Sequence, residues 1–178
     1  RGTAYLYYCF GMQMIGRGAE GIARLYEALE SEGHISGTSM TRILIATGGS
    51  YWMITDLSAA LQAAQQGLQV AQGHHLMASH SWLCMVLSFV HYQRNELEAA
   101  AAGCRALIEH PIGAHPMALG HTYLTMALIQ QARALVADAQ QWVDKAYALA
   151  VQTGIAPLLQ QVQSVQARLH LANGATAA

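Results

Sequence analysis

The feature that most constrains this chain is a clock of about forty residues. Glycines able to end helices fall at Gly33, Gly73, Gly113 and Gly154, at intervals of 40, 40 and 41. A second set, suited to the turn within each unit, runs Gly16, Thr55, Asn95, Ala134 and Gly174, at 39, 40, 39 and 40. A third places a small residue one turn into the following helix: Gly21, Ala60, Ala100 and Ala139, at 39, 40 and 39. Three combs with one period mark a repeat architecture, in which each unit buries its apolar faces against its neighbours.

Between these marks apolar residues recur at helical spacing. Leu57, Ala60, Leu61, Ala64, Leu68 and Ala71 form one stripe, and Leu97, Ala100, Ala101, Cys104 and Ile108 another. Pro116 and Pro157 suit a first helical turn, where a missing N–H costs nothing, and Pro111 suits a helix end. Asn95 followed by Glu98 reads as a capping box. The pattern predicts helices near 2–15, 18–32, 39–54, 56–72, 77–93, 96–109, 116–133, 136–152 and 157–172. The units are then about 1–33, 38–73, 76–113 and 115–154, followed by a ninth helix at 157–172. The fold class expected is all-α, a single solenoid domain of antiparallel helix pairs.

Composition fits a stack. Hydrophobic residues make up 53% of the 178 and charged residues 11%, well under the roughly 25% of ordinary soluble domains. Pairs covered on both sides need few charges. The charge-free run between Asp56 and Arg94 contains six glutamines and four histidines, and its most apolar part, 82–90, is far short of the ~20 residues a spanning helix needs. No membrane segment or signal peptide is expected, and the location expected is cytoplasmic. Nine basic against ten acidic residues leave no basic stripe, so no direct nucleic-acid contact is expected. The start at Arg1, already apolar and helical, suggests a piece of a longer protein. Cys9, Cys84 and Cys104 read as reduced, buried thiols.

The segment from Phe89 through His91-Tyr92-Gln93-Arg94-Asn95-Glu96 to Ala100, and that from Tyr51-Trp52 to Ala60, resemble the helix–turn–helix of a tetratricopeptide-like unit. The longer period, with 127–132, 146–154 and the run from Pro157, is similar to the sensor region of MalT-like regulators, bacterial signal-transduction ATPases that often end in a LuxR-type DNA-binding domain. Thr55, Asn95 and Ala134 depart from the pattern's turn glycine, Gly21 from its small alanine, and Gln130 from an expected aromatic. No G-x-x-x-x-G-K-[ST] loop occurs, so the chain itself carries no ATPase site.

The resemblance implies a right-handed superhelix whose first helices line a concave groove. Helical spacing then projects Leu6, Phe10 and Gln13 into it, with Arg42, Ile45, Gly49 and Trp52 from the second unit. Trp82, Met85, Phe89 and Tyr92 follow from the third, then His121, Leu124, Leu128 and Gln131. Aromatic rings and methionines in a groove suit an amphipathic peptide helix or a sugar-like ligand; packed as core, the same residues would bind nothing. The expected role is non-catalytic recognition of a small effector, a peptide or a protein. The alternative is a scaffold that self-associates through exposed solenoid ends, so that the segment alone would bury an end or its concave face against another copy.

Other chemistry finds little support. Carboxylates are scattered, no serine sits in a G-x-S-x-G turn, and Gly48-Gly49-Ser50 lies inside a helix rather than after a strand. His74, His75 and His80, with His110, His115 and His121, fall near successive loops but match no compact zinc spacing. No cofactor, metal or catalytic group is expected, and His91 reads as a packed core histidine.

Overall fold

A computed structural model describes residues 2–31, 36–172 and 174. Among these, nine helices follow one another with no strand: α1 (Gly2–Met14), α2 (Gly18–Ser31), α3 (Gly37–Met53), α4 (Leu57–Gly73), α5 (Met77–Gln93), α6 (Leu97–Glu109), α7 (Pro116–Ala132), α8 (Val136–Thr153) and α9 (Ala156–Ala172). Their ends fall within about two residues of the spacing-based expectation wherever they are described. Gly33 lies outside the described residues.

The within-unit comb has a single physical cause. Thr55, Asn95 and Ala134 take φ of 66°, 60° and 61°, and Gly16 and Gly174 take 74° and 72°. All five are left-handed, the conformation that reverses the chain after a helix. Three do so with a Cβ, at a cost of roughly 1–2 kcal/mol each. The turn geometry therefore persists where glycine does not. The third comb is equally clear: Ala60, Ala100 and Ala139 are fully buried, and a Cβ on Gly21 would meet Met12 and Cys9 at 3.1 and 3.3 Å.

Three expectations are corrected. Asn95 is no helix cap: its left-handed φ places it in the turn, and the residue at the start of α6, Glu96, makes no side-chain cap bond. Its carboxylate instead takes hydrogen bonds from His91 and Arg94. His91 is accordingly a partly exposed residue in the last turn of α5, 2.6 Å from Glu96, and not packed core. Gly73 is the last residue of α4 rather than its terminator; the left-handed residue there is His75, at φ 53°.

Packing divides the helices into two sets. α1 packs on α3, α3 on α5, α5 on α7 and α7 on α9, whereas no successive even-numbered helices touch among the described residues. The odd helices thus form a continuous inner layer, and each even helix covers a seam from outside. A stack with contact on one side and separation on the other must curve toward the contact. The inner layer is the concave side.

The inner helices are consequently apolar nearly all round. α5 buries Ser81, Leu83, Cys84, Met85, Val86, Leu87, Ser88 and Val90. The buried hydroxyls all lie on α3, α5 and α7. Most return a hydrogen bond to their own helix: Thr47 to the carbonyl of Ile43, Ser88 to Cys84, Thr122 to Ala118 and Thr125 to His121, at 2.8–2.9 Å. Such groups are small and self-satisfied, so inner helices approach closely without stranding a polar atom. Among the described residues no helix is long and apolar enough to cross a membrane.

Candidate functional site: a cavity in the inner layer

Four inner helices enclose a cavity of about 250 Å³. α3 contributes Ile45, Gly49 and Met53; α5 contributes Trp82, Met85, Val86 and Phe89; α7 gives Met117 and His121; and α9 gives Gln161. The α5 set sits at i, i+3, i+4 and i+7, a single helical stripe. On α3 the spacing is i, i+4, i+8. Gly49 lines the cavity with backbone alone.

The wall is built from rings and thioethers with no charged side chain. The Phe89 and His121 rings meet edge to face, with centroids 6.2 Å apart. The Trp82 ring lies 5.1 Å from that of His115, tilted by 38°. Burial pushes the His121 imidazole down to about 4, so it is neutral at pH 7. The amide oxygen of Gln161 is buried without a hydrogen-bond partner. One neutral imidazole and one unsatisfied amide are the polar side chains of an otherwise apolar site.

Of the projected groove residues, Ile45, Gly49, Trp82, Met85, Phe89 and His121 come together here. The others do not. Leu124 is 2% exposed and packs with Ala139, Val143 and Leu158, so it is core between α7, α8 and α9. Leu128 is buried as well. Gln13 donates to the carbonyl of Ser50 at 3.4 Å and ties α1 to α3. Arg42 is exposed and Gln131 partly buried, and neither lines the cavity. Tyr92 packs against the α6–α7 core, and its hydroxyl accepts from Arg168 at 3.1 Å. Phe10, Leu6 and Trp52 lie on described helices, but their side chains fall outside the described ones.

Met53, Val86, Met117 and Gln161 were not anticipated. The repeat clock could have found Gln161: Arg42, Trp82, His121 and Gln161 stand at intervals of 40, 39 and 40. Phe89, Leu128 and Arg168 stand on the same clock, at 39 and 40. The ninth helix therefore presents inner-face positions of its own, and two of them, Gln161 and Arg168, turn toward α5.

The remaining candidates offer no reactive centre. Cys84 and Cys104 are driven by burial up to about 11 and about 12, which suppresses the thiolate. His80 lies 3.6 Å from the Cys84 sulfur, and burial lowers its pKa, so the two do not form an ion pair. Among the described residues no group of three or more His, Cys, Asp or Glu side chains could hold a metal ion. A larger, more open depression between α1 and α2 is lined by Tyr5, Tyr8 and the Arg24–Glu27 pair and shares no lining residue with the cavity.

Inner helices in continuous contact, left-handed turns every forty residues and small residues beneath each outer helix define the repeat, and the comparison with known families agrees with it. The chain matches the family described as MalT-like TPR region over residues 1–178. It belongs to that family. Among curated proteins, none matches the chain. The MalT-like match covers every helix described, including α9, which is thus part of the repeat region.

Proposed function

We propose that this MalT-like repeat region is a non-catalytic recognition segment, the sensor or interaction part of a bacterial regulator or signalling ATPase, acting in the cytoplasm. It holds a small effector or partner peptide against the inner helices. The observation that carries this reading is the cavity at α3, α5, α7 and α9, which has contributions from four helices separated by up to 116 residues in sequence (Ile45 to Gln161). A ligand there touches several repeats at once, so its binding energy depends on how the repeats are stacked. A ligand that prefers one curvature shifts the population toward it, in proportion to its differential affinity. A remote output module could respond to that shift.

Thermal-shift screening of the chain against small neutral molecules, nucleotides, oligosaccharides and amphipathic peptides tests the reading. A ligand should raise the melting temperature, and Trp82→Ala and Phe89→Ala should each abolish that rise. If no compound shifts melting and both variants alter only stability, the recognition role fails.

A self-associating scaffold is the second reading. It is favoured by large apolar side chains exposed toward the two ends of the stack, Tyr7 and Ile15 near one and Val151 and Leu171 near the other. Sedimentation across a dilution series separates the two readings, because a stable monomer that binds ligand supports only the first.

A further inference from the structure

Resting on the recognition reading above, we infer that the cavity takes a small, uncharged, planar apolar molecule that carries one N–H or O–H donor. An indole or a phenol has this chemistry. Its ring would lie beside Trp82 and Phe89, and its donor would meet the amide oxygen of Gln161.

Three observations combine. The first is size: about 250 Å³ admits a one- or two-ring molecule but not an extended peptide helix. The second is the wall, where Met53, Met85 and Met117 join Trp82 and Phe89. Thioethers and aromatic rings are polarizable and adaptable partners for a flat apolar ligand. The third is the orphaned oxygen of Gln161. Buried acceptors are almost always paired, and a terminal amide torsion is soft enough to turn toward a donor placed in the cavity.

The same wall argues against other ligands. An anion finds no cation among the lining residues, and a cation finds no carboxylate. A sugar brings several hydroxyls to a surface with two polar side chains, Gln161 and His121. Each hydroxyl left unpaired loses roughly an order of magnitude in affinity. The ligand would also join α5 to α9 across α7, as the Arg168–Tyr92 hydrogen bond does nearby at 3.1 Å. Binding therefore bears on the position of the ninth helix.

Isothermal titration of the chain at pH 7 with five probes tests the assignment: indole, benzofuran (the same shape without the N–H), benzoate, lactose and an amphipathic helical peptide. Indole should bind about tenfold tighter than benzofuran, and benzoate and lactose more weakly than either. In Gln161→Leu the indole advantage should vanish while benzofuran affinity persists, which also shows that the variant is folded. Equal binding of indole and benzofuran to the unaltered chain overturns the donor contact. If lactose or an amphipathic peptide outbinds indole and Trp82→Ala removes that binding, the ligand class is wrong while the recognition reading stands. No binding by any probe or peptide overturns both.

Discussion

The inner and outer helices of this repeat solve opposite packing problems with the same few residue types. An outer helix such as α8 touches the stack along one stripe, and it buries Ala139, Val143, Ala146 and Ala150 there. Small side chains at the stripe let two backbones approach, and the rest of the helix is free to be polar. An inner helix such as α7 is covered on both sides and buries nine residues, among them Leu124, Met126, Leu128 and Ile129. Its close approaches use glycine and back-bonded hydroxyls: a Cβ on Gly120 would lie 2.5 Å from Leu158. Outer helices gain stability from proximity, inner helices from volume. Only the inner set has both bulk and a concave face, so the cavity forms there.

That contrast can be broken from either side. The largest effect should come from removing inner volume. Leu83, fully buried on α5, should cost about 2–5 kcal/mol as Leu83→Ala, through lost transfer energy and the cavity left behind. Urea unfolding measures it, and a loss below 1 kcal/mol would show that inner helices do not depend on bulk.

The inner layer also buries a titratable group where exposed His74, His75 and His110 lie on the outside. The folded His121 pKa is about 4 against an ordinary 6.5. The unfolded chain therefore takes up a proton first as pH falls, and stability present above pH 6.5 is lost progressively down to pH 4. The loss is up to about 3 kcal/mol. Denaturation curves at pH 7 and pH 4.5 should differ in the unaltered chain and much less in His121→Leu. An unchanged pH dependence in that variant would place the responsible group elsewhere.

On the outer side, adding volume should do the damage. Ala139→Leu forces three extra heavy atoms into a fully buried seam and should cost about 1–3 kcal/mol by overpacking. A neutral result would mean that outer helices can slide outward freely, and that the third comb is not a packing constraint.

The smallest effect belongs to the turns that join the two kinds of helix. Ala134 holds φ 61°, so Ala134→Gly should raise stability by about 1 kcal/mol, the relief of the left-handed strain less the entropy glycine adds to the unfolded chain. A fall in melting temperature would sink that account of the second comb.

Much of this was legible in the sequence because helix spacing and turn geometry are local. The left-handed turns at Thr55, Asn95 and Ala134 were placed by register alone, although none is glycine. Local reasoning also failed in instructive places. Asn95 and Glu98 satisfy a capping-box pattern, yet the turn takes Asn95 for its positive φ. Glu98 instead pairs with Arg133 of the next unit, 2.5 Å away. Leu124 shares a helical stripe with His121, yet the two point to different neighbours, α8 with α9 for one and the cavity for the other.

The sequence by itself determined the repeat, its period, the helix boundaries and the ring-and-methionine stripe on α5, since each follows from spacing along one chain. Only the tertiary structure decided which members of each stripe share a cavity, that Gln161 of the ninth helix closes it, and that its amide oxygen is left without a partner. Those facts depend on the curvature of the stack, which is a sum of small rotations between neighbouring units. No single stretch of sequence contains that sum.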